Sequence, residues 1–211
     1  MTVDALFRQA GVLRAETMHE LFDVAALLSA QPVPEGDRVA IVTNAGGPAI
    51  LCADACQGGG LDVVELPDEV RGDLAAFVAP EASLGNPIDM IATASAADYR
   101  RAIEVLVAHQ ACDAIITIFV PPLVTAAADV SREIELAERG SGKVTLASVF
   151  MGDSEHLRAA VGEPGLSVPM FDFPEDAARA LTHAVDYARW RQRPPGTFST
   201  PPAAGRTRPR R

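Results

Sequence analysis

The run Asp113–Val120, which reads DAIITIFV, constrains the fold more than any other feature of the chain. It is almost continuously apolar and β-branched, and it lacks the alternation of polar and apolar residues that a strand with one solvated face shows. Such a strand lies inside a parallel sheet and is covered on both faces. Because parallel strands are joined by helical crossovers, the rest of the chain must supply them.

Strands and helices do alternate along the chain, and the first helix opens with a capping box formed by Thr17 and Glu20. The pattern predicts an α/β fold: a flavodoxin-like, doubly wound, five-stranded parallel sheet of order 2-1-3-4-5 with an N-terminal helical extension. We predict strands at 39–43, 61–64, 113–118, 144–149 and 168–171, and helices at 17–30, 47–58, 67–77, 96–109, 125–139, 154–162 and 174–192.

Composition and charge narrow the class of protein. Of the 211 residues 48% are hydrophobic and 22% charged, which is typical of a globular chain. The last 23 residues carry seven arginines, so the other 188 hold 11 basic against 28 acidic residues, a net charge of −17. An acidic body argues against nucleic acid as a partner. With no membrane-length apolar run and no signal peptide, we expect a cytoplasmic protein without a membrane partner.

The organisation predicted from these patterns has three parts. A helical lead-in covers 1–36, the flavodoxin-like domain covers 37–192, and a Pro- and Arg-rich tail, expected to be disordered, covers 193–211. Cys52, Cys56 and Cys112 are predicted to be buried thiols. The four histidines are scattered, so the sequence indicates no metal site.

The turn after the first predicted strand is the leading candidate site. Thr43, Asn44, Ala45, Gly46 and Gly47 lie where a strand ends and a helix begins, the edge at which doubly wound sheets bind ligands. Free amides and the helix dipole at such a turn favour an anion. The turn matches neither the dinucleotide fingerprint nor the Walker loop. The alternative is that the two glycines only let the helix pack close to the sheet.

Two further loops fall at or near the same edge. Val120, Pro121 and Pro122 follow the central strand, and Thr125 is placed to cap the next helix. Asn86, Pro87 and Asp89 lie in a turn that precedes another helix, where Asp89 is either a site acceptor or a loop cap. None of these loops contains Lys or Arg, and Lys143 is the only lysine of the chain. His156 follows the fourth strand, in what reads as an ordinary helix start.

Three segments together resemble the last flavodoxin-like module of the NDP-forming acyl-CoA synthetases, a family that includes ADP-forming acetyl-CoA synthetases and succinyl-CoA synthetase. The segments are 4–56, which contains VTNAGGP, then SLGNPIDM at 83–90, and DAIITIFVPP at 113–122. The similarity runs from about Val3 to Trp190.

The resemblance implies one wall of a shared active site. In that family a phosphohistidine on another domain moves between the coenzyme A site and the nucleotide site. One helix start from each of two flavodoxin-like domains stabilises its charge. By the resemblance, this chain supplies the start of the helix after Pro121-Pro122, where the succinyl enzyme has glycines. The turn 43–47 borders the same site. No catalytic residue is expected in this chain, which begins after the phosphohistidine loop and ends before the ATP-grasp region.

The cofactors and partners implied by the resemblance lie outside this chain. It is expected to bind no cofactor tightly; coenzyme A and ATP or ADP with Mg²⁺ belong to the complete enzyme. The partners are a CoA-binding, phosphohistidine-bearing domain and an ATP-grasp domain, with a homo-oligomer also possible. Two alternatives stay open: a ligand-sensing regulatory module like those fused to GNAT protein acetyltransferases, and a stand-alone flavodoxin-like binding protein.

Overall fold

The computed structural model describes residues 3–122, 125–152 and 167–194. The predicted helix at 154–162, with His156 in it, lies outside the described residues, as does the chain beyond 194.

The pairings between the strands β1 to β6 are parallel and the strand order is β2-β1-β4-β5-β6, with the short strand β3 also paired to β1. With β3 set aside, this is the predicted order 2-1-3-4-5, so the fold prediction is confirmed. The strands are β1 Arg38–Thr43, β2 Asp62–Val63, β3 Ile88–Asp89, β4 Ala114–Phe119, β5 Thr145–Phe150 and β6 Met170–Phe171.

The described helices agree with the predicted ones to within two residues at each end, and α1 is an addition within the helical lead-in. They are α1 Val3–Ala10, α2 Met18–Ala30, α3 Gly46–Gly58, α4 Asp68–Ala75, α5 Ala96–Ala108, α6 Ala127–Glu138 and α7 Pro174–Arg191. None of them combines the length and the apolar character needed to cross a membrane.

The apolar strands feed two cores, one on each face of the sheet. In β1, Val39 and Ile41 face the layer that contains α2, α3 and α7, whereas Ala40 and Val42 face the layer of α4, α5 and α6. Successive side chains of a strand point to opposite faces, so a strand buried on both sides is apolar at most positions. The three cysteines are free and buried, as predicted. Burial raises the pKa of the Cys112 thiol to about 12.

Two short strands share one edge of β1. Arg38 and Val39 pair with β2, whereas Val42 and Thr43 pair with β3. The sequence did not predict β3, because two residues behind a proline turn leave no periodic pattern. This strand decides where the segment that follows Pro87 lies relative to the end of β1.

The lead-in packs on the domain through α2 and α7. Val24 and Leu27 of α2 lie in the same core as α7. The Thr17 hydroxyl caps α2 by accepting the Glu20 N–H at 3.1 Å, as predicted. The Glu20 carboxylate differs from the expected capping box: it accepts the Glu16 N–H and pairs with His183 of α7 at 2.7 Å. The start of α2 is therefore tied both to its own chain and to α7.

Candidate functional site

The end of β1 turns directly into α3. The Thr43 side chain is fully buried, and its hydroxyl accepts the Ala45 N–H at 3.0 Å and lies 3.1 Å from the Ala45 carbonyl. Ala45 is the N-cap of α3 in extended conformation, and no side chain caps the helix there. Thr43 thus shapes the turn from below and leaves the first turn of α3 uncovered.

The first turn of α3 is Gly46-Gly47-Pro48, without an acidic residue. Pro48 has no N–H, and the amides of Gly46 and Gly47 have no hydrogen-bond partner among the described residues. A Cβ at Gly47 would meet nothing within 4 Å, so this position opens outward. These two amides, at the positive end of the helix dipole, form a donor pair suited to an anion.

Asn44 joins this turn to the loop after β4. Its side chain is almost fully buried, donates from Nδ2 to the Val120 carbonyl at 2.8 Å, and accepts the Val120 N–H through Oδ1 at 2.9 Å. The pair satisfies both backbone groups of Val120. The structure therefore brings together two of the loops that the sequence singled out.

Asp89 faces the same helix start from β3. Its Oδ1 accepts the Ile91 N–H at 2.9 Å, and its Oδ2 would lie 2.9 Å from a Cβ on Gly46. Gly46 thus leaves room for this carboxylate, which gives the first glycine a packing reason that the second lacks. Ile91 adopts a φ of 59°, a left-handed conformation rare for a β-branched residue. The Asp89 hydrogen bond to Ile91 holds that turn.

The neighbouring Asn86 serves the sheet edge. Its side chain donates to the carbonyls of Val39 and Val64 at 2.7 and 3.0 Å and accepts the Ile41 N–H at 2.9 Å. It thereby fills the gap on β1 between β2 and β3. Asn86 and Pro87, joined by a cis peptide bond, lead into β3 and so place Asp89.

The described residues 120–122 at the end of β4 offer no free backbone donor. Pro121 and Pro122 have no N–H, and the Val120 N–H is taken by Asn44. The hydroxyl of Thr125 donates to the Ala94 carbonyl at 3.3 Å, and the N-cap of α6 is Ala126, so the expected Thr125 cap is wrong.

Tyr99 lies beneath these loops, and nothing in the sequence pattern around it indicated a role at the site. The ring is fully buried, and the hydroxyl donates to the Ile118 carbonyl at 2.9 Å. Burial raises the pKa of Tyr99 well above its ordinary value, and the Asp89 charge adds to this. A phenol held neutral and hydrogen-bonded at the end of β4 supports the loops as a rigid floor.

Known proteins of similar sequence identify the family of this chain. The model of the Ligase-CoA domain family matches residues 39–192. The chain belongs to the Ligase-CoA domain family. It is 36% identical over 193 residues to the acetate–CoA ligase [ADP-forming] II subunit alpha of Pyrococcus furiosus, covering 88% of this chain and 41% of that subunit. It is 29% identical over 196 residues to the 4-hydroxybutyrate–CoA ligase [ADP-forming] of Nitrosopumilus maritimus, covering 93% and 28%.

Solved structures give the same family. A protein of Pyrococcus horikoshii OT3 matches with a TM-score of 0.81 and 33% identity, covering 89% of this chain and 43% of that one. The dinucleotide forming acetyl-coenzyme A synthetase 1 of Ca. Korarchaeum cryptofilum, solved in complex with phosphate and ADP, matches with a TM-score of 0.82 and 27% identity, covering 89% and 41%. The resemblance to NDP-forming acyl-CoA synthetases is confirmed. This Ligase-CoA chain spans less than half the length of each of these relatives.

Proposed function

We propose that this Ligase-CoA chain forms one wall of a phosphohistidine site in an ADP-forming acid–CoA ligase. The histidine and the nucleotide site belong to partner domains, which use ATP, an acid and coenzyme A. The observation that carries the proposal is the start of α3, where two glycine amides have no partner in the described part of the chain and no side chain caps the helix. Preorganised donors of this kind stabilise a phosphoryl group without reorganising during the reaction.

The charge at the site favours a phosphate that arrives on a protein side chain. The turns at 43–48 and 86–91 and the residues 120–122 and 125–127 contain no Lys or Arg. Backbone amides and a helix dipole provide only fractional positive charge, which is weak for a free nucleotide. A phosphoryl group already fixed to a partner's histidine needs stabilisation more than it needs capture, and the amides of Gly46 and Gly47 supply it.

Asp89 has a separate part in this proposal. A phosphorylated imidazole keeps one unsubstituted ring nitrogen, whose N–H can donate a hydrogen bond. The Oδ2 of Asp89 faces Gly46 beside the amide pair and is an acceptor for that N–H. The phosphoryl oxygens would then meet the α3 amides while the ring meets the carboxylate, so the histidine is oriented at both ends.

Gly47 provides the decisive experiment. Gly47→Val places a branched side chain over the amides, at a position where a Cβ meets nothing within 4 Å, so the fold should persist. In the enzyme reconstituted with its histidine-bearing and ATP-grasp partners, we expect discharge of the radiolabelled phosphohistidine to slow by about 10²-fold, the loss typical of a missing charge-stabilising donor.

Gly72→Val is the matched control, since Gly72 is an exposed glycine in α4 whose Cβ also meets nothing within 4 Å. Both variants make the same glycine-to-valine change at an exposed helical position, but only Gly47 lies at the site. Equal turnover in the two variants would contradict the proposal. So would acyl-CoA synthesis that proceeds at the same rate when this chain is left out.

A further inference from the structure

We infer that His19, Asp23 and Asp176 form a binding site for a divalent transition-metal ion of the zinc class, which ties α2 to α7. This site lies on the α2–α7 side of the domain, and the inference stands independently of the proposed ligase role. His19 and Asp23 are four residues apart on α2, on one face of the helix, and Asp176 lies in the first turn of α7. Their ligand atoms all lie within 4.8 Å of one another.

The distances fit a shared ion better than a hydrogen bond. Nε2 of His19 is 3.4 Å from Oδ2 of Asp23 and 3.4 Å from Oδ2 of Asp176. An N–H···O hydrogen bond spans about 2.7–3.2 Å. Zinc–ligand bonds of about 2.0–2.2 Å at the tetrahedral angle put neighbouring ligand atoms roughly 3.3–3.6 Å apart. The His19 imidazole therefore lies at the edge length of a tetrahedral site from both carboxylates.

The other described histidines provide an internal comparison. His109 pairs with Asp73 at 2.8 Å, and His183 pairs with Glu20 at 2.7 Å. Each is a single pair at hydrogen-bond length. Among the described residues His19, Asp23 and Asp176 are the one such cluster of three potential ligands.

The charge around the cluster also favours a cation. The carboxylates of Asp23 and Asp176 both face the His19 imidazole, one from α2 and one from α7. Arg179 pairs with Oδ1 of Asp176, which leaves Oδ2 directed to His19. A divalent ion would offset the negative charge that these two carboxylates bring to the cluster.

The donor set and the exposure point to the class of ion. One imidazole nitrogen and two carboxylate oxygens suit Zn²⁺ or Co²⁺ better than Ca²⁺ or Mg²⁺, which prefer oxygen alone. The Asp176 side chain is 11% exposed and that of His19 is 60% exposed, so the site is largely buried on the Asp176 side and open to water on the His19 side. Water would complete the coordination, and the ion would fasten α2 to the domain.

The test is Zn²⁺ titration of the full 211-residue chain after chelator treatment, by calorimetry and by thermal unfolding, with Co²⁺ absorption as a report on geometry. We expect a single Zn²⁺ to bind and to raise the unfolding temperature. His19→Ala and the isosteric Asp23→Asn should each weaken binding by at least about tenfold, the lower end of what even an outer-shell change costs.

His109→Ala is the matched control, because it removes a histidine from an ordinary carboxylate pair, and it should bind Zn²⁺ like the parent chain. Unfolding of each variant in chelator shows whether the fold is retained; Asp23→Asn keeps the side-chain shape if His19→Ala should fail to fold. Equal Zn²⁺ affinity in all variants would overturn the inference. No Zn²⁺-dependent rise in the unfolding temperature of the parent chain would overturn it too.

Discussion

The starts of α3 and α5 differ in whether a side chain caps the free backbone amides of the first turn. At α5, Asp98 reaches back and accepts both the N–H and the hydroxyl of Ser95, at 2.8 and 2.7 Å. At α3, the N-cap is Ala45 and the first turn holds two glycines and a proline. Of the helices α2–α7, α3 is the one with neither a side-chain cap nor an acidic residue in its first turn.

The capped start of α5 serves stability, whereas the uncapped start of α3 leaves its amides available to a ligand. A side-chain cap contributes about 1 kcal/mol, so the uncapped start of α3 forgoes a common source of stability. The turn is held from outside the helix, by the Thr43 hydroxyl on Ala45 and by Asn44 on Val120. Both contacts fix the backbone without occupying the amides of Gly46 and Gly47. The arrangement suits a ligand that arrives from another domain.

Asn44→Ala should have the largest effect on stability, because it removes the contact that fixes the α3 turn and leaves two backbone groups of Val120 unpaired. Each unmade buried hydrogen bond costs about 1–3 kcal/mol, so we expect a loss on the order of 2–4 kcal/mol in urea unfolding. Asn44→Asp, which keeps the acceptor and loses the donor, should fall between. A loss below about 0.5 kcal/mol for Asn44→Ala, the level of an ordinary surface change, would mean that the turn is held elsewhere.

Asp98→Ala tests the role of the capping box at the start of α5. It removes the acceptor for Ser95 and should lower the free energy of unfolding by about 1 kcal/mol. Phosphohistidine turnover in the reconstituted enzyme should stay unchanged, since the α5 start serves stability. Slower turnover at full occupancy of folded chain would show that α5 also contributes to the site.

Ala45→Ser would add a side-chain cap to the uncapped start of α3. Ala45 has the extended backbone of an N-cap, so a serine there can accept an amide of the first turn. We expect about 0.5–1 kcal/mol of added stability and a several-fold slower turnover, because cap and phosphoryl group compete for the same donors. Ala126→Ser makes the same change at the α6 N-cap. A comparable slowing there would extend the donor site to α6; no slowing from Ala45→Ser would contradict competition at α3.

The smallest expected effect is a pH-dependent change in the free energy of unfolding through Glu20, at the start of α2. Burial acts to raise the pKa of Glu20, but the hydrogen bonds from His183 and the Glu16 N–H, with the His183 charge, lower it below 4.5. A lowered carboxyl pKa contributes stability above the unfolded value, and this stability is lost as the pH falls through the folded value. Glu20→Gln should therefore be less stable than the parent chain at pH 7, with a gap that narrows below about pH 4.5. A gap independent of pH would show that packing alone is lost.

Sequence patterns were sufficient for the sheet order and for most helix bounds. Burial on both faces makes Val39–Val42 apolar throughout and Ile115–Phe119 apolar except at Thr117, and that signal is local. Thr17 as a cap and the buried thiols of the cysteines were also predicted correctly. The strand β3 was missed and the Thr125 cap was wrong, because neither a two-residue strand nor a hydroxyl's choice of acceptor depends on local pattern.

The sequence by itself determined where the chain could hold a ligand, since strand ends and glycine turns are written in neighbouring residues. Only the tertiary structure decided which groups meet there. Asn44 reaches Val120 across 76 positions and His19 reaches Asp176 across 157, and no periodicity records such pairs. Packing of α2 on α7 and pairing of β3 with β1 bring these side chains together, because contacts distant in sequence form only when the helices and strands pack.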